Sequence, residues 1–224
     1  MDNRIASLAM ILKGLGTESS IEQLTEEIQL TSIWTIDLAF LLRKYEPDFT
    51  FYTSVFGTRE EYQGVKFYEA TFDQDKKRVN KLFASAKSCS VHIVRMKLPI
   101  EDYKRFLFNR QFAIVALVNA RLLHCERCEA GRGCMASLCG QLFYKISSDD
   151  YTECILYKME LGHYIVLIGY DPTEDLFIYR DPGIMDDYCT ISTEEFDQAR
   201  QAEGTDHDWY VLHTYMKNKN ERIK

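Results

Sequence analysis

The residues best placed to do chemistry are His163 and Asp181. His163 opens an apolar run, Tyr164 to Ile168, closed by Gly169, Asp171 and Pro172. A β-branched run bounded in this way reads as a buried strand. Asp171-Pro172 followed by Glu174-Asp175 is turn chemistry, and Leu176 to Tyr179 is a second strand stopped by Asp181-Pro182. Antiparallel pairing of the two strands is expected to make neighbours of His163, at the start of one, and Asp181, at the end of the other. An aspartate beside a histidine fixes its tautomer and stabilises its protonated form, which is the base half of a nucleophilic triad. Spacing alone equally allows a strand-edge histidine and a turn aspartate with no chemistry.

A second cluster lies between His124 and Cys139. Cys125 and Cys128 are followed by Cys134 and Cys139, with Gly131 and Gly133 between them. Four thiolates could wrap a tetrahedral structural zinc. The second pair is unevenly spaced, and the plainer expectation is an exposed loop of reduced thiols. Cys89, Cys154 and Cys189 stand singly near strands and are expected to be packed core thiols. His92, His207 and His213 have no partner in sequence and read as structural, though Thr205-Asp206-His207-Asp208 is a polar turn able to line a pocket.

The elements that must position these groups fit a chain of 224 residues, long enough for a sizeable core. Hydrophobic residues make up 46% and charged residues 27%, ordinary for a globular protein. The net charge of -7 argues against a general nucleic-acid or anionic-membrane surface. No apolar run approaches the ~20 residues of a membrane span. The start shows no signal-peptide pattern, so the seven cysteines are expected to be reduced, in the cytoplasm or nucleus.

In chain order, Ile5, Leu8, Ala9, Leu12 and Leu15 mark a first helix ending at Gly14-Leu15-Gly16. Ile21 to Leu30 is a second. Ser32-Ile33-Trp34-Thr35-Ile36-Asp37-Leu38 opens a third, with Trp34 expected in the core rather than as a ligand platform. Phe49 to Phe56 alternates as a strand. Residues 57–75 form an irregular stretch with a short helix before a helix over Asp75 to Lys87, and Val91 to Met96 is a strand. Pro99 introduces a helix carrying Glu101 and Asp102 in its first turn. Phe112 to Val118 is a buried central strand. Ser192 and Glu195 form a capping box on another helix, and Trp209 to Tyr215 is a last strand. Lys217 to Lys224 is a basic tail. A helical half followed by a mostly antiparallel sheet gives the α+β class.

Several of these stretches carry a resemblance. Ser32-Ile33-Trp34-Thr35-Ile36-Asp37-Leu38-Ala39, Arg78-Val79-Asn80-Lys81-Leu82-Phe83 and Ala113 to Val118 are three of them. Gly162-His163-Tyr164-Ile165-Val166, Gly169-Tyr170-Asp171, Arg180-Asp181-Pro182 and Glu195 to Arg200 with Gly204-Thr205-Asp206 complete the set. Together they resemble the guanylyl cyclase domain-containing family of plants and animals. That family looks related to the papain-like, bacteriocin-processing cysteine peptidases. The resemblance implies a single papain-like domain over residues 1–216, followed by the 217–224 tail. It also implies that His163 and Asp181 are catalytic.

Where the family's first helix has Asp-Cys-Gly, this chain has Asp2-Asn3-Arg4. The family's nucleophile position is thus Asn3, and an amide cannot supply a thiolate. Peptidase activity is therefore not expected, and the family segment that precedes this helix has no counterpart here. Either the chain is an N-terminally shortened product of a longer form that has the cysteine, which the abrupt start favours, or it is a pseudoenzyme. The family name implies conversion of GTP to cyclic GMP, with Mg²⁺ or Mn²⁺ as the accompanying metal. No Gly-rich phosphate loop is present. Asp149-Asp150 and Asp186-Asp187 read as solvated loops, and Lys76-Lys77-Arg78 as ordinary exposed charge at a helix start. The alternative is an inactive, peptidase-like module that holds a peptide or regulatory protein in the cleft around Asn3, His163 and Asp181.

Overall fold

A computed structural model describes residues 2–60, 71–125, 162–184 and 187–214. The chain begins with three helices, α1 (Asn3–Gly14), α2 (Ile21–Ile28) and α3 (Thr35–Arg43). Strand β1 (Phe49–Thr53), helix α4 (Phe72–Ser85), strand β2 (Ile93–Arg95), helix α5 (Ile100–Phe108) and strand β3 (Phe112–Val118) follow. The last part holds β4 (His163–Asp171), β5 (Leu176–Arg180), β6 (Cys189–Ser192), α6 (Thr193–Gln201) and β7 (Trp209–His213). The class is α+β. The chain is not a helical half followed by a sheet half, however. β1 and β2 come from between the early helices and join the same sheet.

That sheet has seven strands in the order β2-β1-β7-β3-β4-β5-β6. Its pairs are antiparallel except β1 with β2. Both faces are covered. Ala113, Val115 and Leu117 of β3 face a core built with α1 to α4. Ile114, Ala116 and Val118 face a second core built with α5 and α6. Burial on both sides is why β3 reads as an unbroken apolar run. Its observed bounds are those expected from sequence.

Helix α1 is anchored by Ile5, Leu8 and Leu12, each buried, at roughly 1.5–3 kcal/mol per buried aliphatic side chain. It stops where the glycines predict. Gly16 adopts φ 74, its N–H reaches Lys13 O at 3.0 Å, and Thr17 N reaches Leu12 O at 2.9 Å. This is a Schellman closure, which needs a left-handed residue after the cap. The third helix starts later than expected. Trp34 is its N-cap, and Asp37 Oδ2 accepts from Trp34 N at 2.8 Å. Helix α4 starts earlier than expected, at Phe72. The strand expected to end at Ile168 runs on to Asp171.

The Cys125–Cys139 window beyond Cys125, Cys154, the 217–224 tail and Asp149-Asp150 lie outside the described residues. Cys189 is buried as expected, whereas Cys89 is exposed just past the end of α4, not a core thiol. Among the described residues, no helix is long and apolar enough to cross a membrane.

Candidate active site

Strand β5 ends at Arg180 while β4 continues back to His163, so the start of β4 has no β5 neighbour. The first turn of α1 fills that gap. The carbonyl oxygen of Tyr164 accepts from Ser7 Oγ at 3.1 Å and from Asn3 Nδ2 at 3.3 Å. Asp2 caps the helix, accepting from Arg4 N at 2.9 Å. Burial would raise the Asp2 carboxyl, but the hydrogen bonds and charge of Arg4 outweigh it and hold the group below its usual value.

The three residues singled out from sequence meet here. Asn3 Nδ2 lies 2.6 Å from His163 Nδ1, and His163 Nε2 lies 2.8 Å from Asp181 Oδ2. An amide nitrogen can only donate, so Nδ1 accepts and Nε2–H donates to Asp181. The second oxygen of Asp181 accepts from Gly183 N at 2.7 Å. His163 and Asp181 are both buried. The arrangement is a neutral imidazole with a fixed tautomer, its basic nitrogen aimed at the first residue of a helix.

Two further details set that aim. Gly162 precedes His163, and a Cβ there would stand 2.3 Å from Leu117 Cδ1, so a larger residue must displace the Leu117 side chain or move β4. The β4–β5 ladder shifts register between Leu167 and Gly169. This bulge puts His163 and Asp181 on one face of the sheet.

The loop before α3 is pinned from two sides. Arg4 Nη1 donates to Ile33 O at 2.6 Å, and Arg78 Nη2 donates to Ser32 O at 3.0 Å. Arg78 also pairs with Asp37, and with Asp75 at 2.8 Å. Both carboxylates are buried. Burial pushes Asp37 up in spite of Arg78. Burial also acts to raise Asp75, but there the hydrogen bonds from Arg78 and its neighbours win and lower it. The expectation of ordinary exposed charge at Lys76-Lys77-Arg78 is therefore wrong for Arg78. Asp75 lies three residues before it on α4, but Asp37 comes from α3, and sequence spacing gives no sign of that second pairing.

Trp34 is part-buried and packs against the core on the α1–α4 side. It also walls a small cavity that Thr35, Thr53, Asp206 and Asp208 line. The polar turn expected to line a pocket does so. Among the described residues there is no group of three His, Cys, Asp or Glu side chains that could hold a metal.

An oriented histidine base at the mouth of a helix limits the chemistry but does not name it. The family described as guanylylate cyclase matches residues 2–212 of this chain. Guanylyl cyclase 1 of Arabidopsis thaliana is 30% identical over 221 residues, covering 98% of this chain and 74% of that protein. The match begins at Asp2 and takes in Asn3, His163 and Asp181, so the site lies inside the shared region, and the chain belongs to the guanylylate cyclase family.

Proposed function

We propose that the chain acts on GTP and forms cyclic GMP, with His163 as the general base and Asp181 as its orienter. The observation that carries this reading is an oriented base whose Nδ1 faces the amide of Asn3 rather than a thiol or hydroxyl. Asn3 stands where a cysteine would have to stand for acyl transfer. A cyclase needs no such residue, because its nucleophile, the 3′-hydroxyl, arrives with the substrate.

A ribose hydroxyl entering between Asn3 and His163 would accept from the Asn3 amide and donate to Nδ1. Its oxygen would attack the α-phosphorus as the bond to the β-phosphate breaks. Pyrophosphate leaves, and the hydroxyl proton passes to Nδ1. Mg²⁺ or Mn²⁺ carried by the nucleotide would offset the triphosphate charge. The scaffold reads as that of a cysteine peptidase turned to a reaction whose nucleophile is not its own.

A second reading has its own support. The Asn3 amide already occupies the lone pair of His163 at 2.6 Å. A base covered in this way fits a module that binds a peptide or protein partner without turning it over. Incubation of the protein with GTP and Mg²⁺ or Mn²⁺, read by mass spectrometry for cyclic GMP, separates the two. The cyclase reading expects product that falls at least about a hundredfold in His163→Ala. Product no greater than in that variant overturns it and leaves the binding module.

A further inference from the structure

His163 stands at one end of the sheet, and the strand registers bring a set of cations to that same end. Val118 is opposite His163, Ala116 and Tyr52 are each opposite Trp209, and Thr53 is beside Arg95. The last residues of β1 and β2 and the turn before β7 therefore lie on the side from which His163 is reached.

Ser54 ties these ends together. Its N–H and its hydroxyl both donate to Asp206 O, at 3.0 and 2.7 Å. Arg95 Nε donates to Ser54 O at 3.2 Å, and Arg59 Nη2 to Ser54 Oγ at 3.5 Å. Two guanidinium groups are thus gathered about one serine. Lys97 is brought to them by its neighbour. Arg200 Nη1 donates to the carbonyl of Leu98 at 3.0 Å, and Thr205 Oγ1 donates to Arg200 O at 2.8 Å. The backbone after Lys97 is thereby fixed to the start of the same turn.

The charges here do not cancel. Asp206 pairs with Arg59 at 2.8 Å, and Asp197 pairs with Arg200. Arg95 and Lys97 are exposed and have no carboxylate partner among the described residues. His207, on the turn, lies in the field of the group. Burial, and then Lys97, Arg200 and Arg59, lower its imidazole to about 4. The chain as a whole carries a net charge of -7, so two unanswered cations beside a third, half-exposed one are a local reversal of sign. Guanidinium forks and an ammonium point charge are the side chains that hold phosphate oxygens.

We propose that Arg59, Arg95 and Lys97 form a binding site for a linear oligophosphate, the leaving-group end of a nucleoside triphosphate whose ribose lies at His163. The identity of the ligand rests on the cyclase reading, whereas the affinity for an oligophosphate does not. Three strand intervals separate β4 from β1, about 14 Å at the usual strand spacing. Extended arginine and lysine side chains on one side and a triphosphate on the other close that gap. A single phosphate engages one fork, while a chain of phosphates bridges the pair at Ser54 and Lys97 together.

The test uses tripolyphosphate alone. The full chain is titrated with it in metal-free, low-salt buffer near pH 7.5 and read by isothermal titration calorimetry. One site with a dissociation constant below about 1 mM is expected. Lys97→Ala and Arg95→Ala should each weaken it at least about fivefold, the loss of one charge-assisted contact. Inorganic monophosphate should bind at least about tenfold more weakly than the chain of three. Lys13→Ala, an exposed lysine in the last turn of α1, should leave binding unchanged. Both test residues are exposed, and an unchanged melting temperature shows that each variant keeps its fold. No binding at millimolar tripolyphosphate, equal binding of the two phosphates, or binding unaltered in both variants overturns the site. Cyclic GMP formed by a protein that fails to bind tripolyphosphate would strike this site alone. Binding without cyclic GMP formation would strike the cyclase reading alone.

Discussion

The carboxamide nitrogen of Asn3 stands 2.6 Å from Nδ1 of His163, although 160 positions separate them in the chain. One amide hydrogen goes to the imidazole and the other to the Tyr164 carbonyl at 3.3 Å. The helix start, the strand start and the ring orientation are thus fixed by a single side chain, and the histidine's basic nitrogen is left facing position 3.

That geometry predicts what a thiol would do in the amide's place. Asn3→Cys should give a cysteine that is alkylated by iodoacetamide well below pH 8, because the imidazole can take its proton. Site-resolved mass spectrometry across pH reads the rate. His163→Ala added to that variant should return the rate to that of an ordinary thiol. Equal rates in the two proteins would mean that Nδ1 does not address this position.

Arg78 should be the most costly surface-looking residue to lose. Its partners Asp37 and Asp75 are 5% exposed each, and removing the guanidinium strands both. Arg78→Met should cost about 3–5 kcal/mol, the usual penalty for breaking a buried ion pair. Urea denaturation measures it. The neighbouring Lys77→Met should change stability by less than about 0.5 kcal/mol.

Gly162→Ala tests how tightly the site is held. The added methyl meets Leu117 Cδ1 at 2.3 Å, and Leu117 lies in the core. Relief requires the Leu117 side chain to turn in the core or β4 to shift just where His163 begins. Stability should fall by about 1–3 kcal/mol, as for other overpacked cores, and any His163-dependent activity should fall further than stability does. Gly14→Ala, where a Cβ meets nothing within 4 Å, is the control.

Asp208 gives the pH dependence its sign. Its carboxyl is raised from the ordinary aspartate range to about 7, by burial first and Asp206 second. A raised acid contributes stability fully below its unfolded value, and that contribution is lost as pH rises to the folded value. The melting temperature should therefore fall between about pH 4 and pH 7. Asp208→Asn should flatten this window and be the more stable protein at pH 8. An unchanged slope in the variant would assign the pH dependence to other groups.

Local order is what the chain states by itself. Phe112 to Val118 is apolar throughout because both faces of β3 are covered, and its bounds are legible for that reason. The Gly14-Leu15-Gly16 stop is legible because only a left-handed residue closes that helix. The proximity of His163 and Asp181 is legible as a hairpin, but their common face is not. From the turn, Asp171 lies opposite Leu176 and Gly169 opposite Ile178. Continued unbroken, that register would set Asp181 opposite Val166, on the other side of the sheet from His163. The extra residue between Leu167 and Gly169 restores the parity, with Val166 opposite Arg180. Gly169, which reads as the end of a strand, instead lets the strand bulge and continue. Cross-strand packing makes that choice, as it makes the choice of Asp37 as the partner of Arg78. Each depends on which surfaces meet, and a one-residue shift in register is invisible to a pattern of residue types.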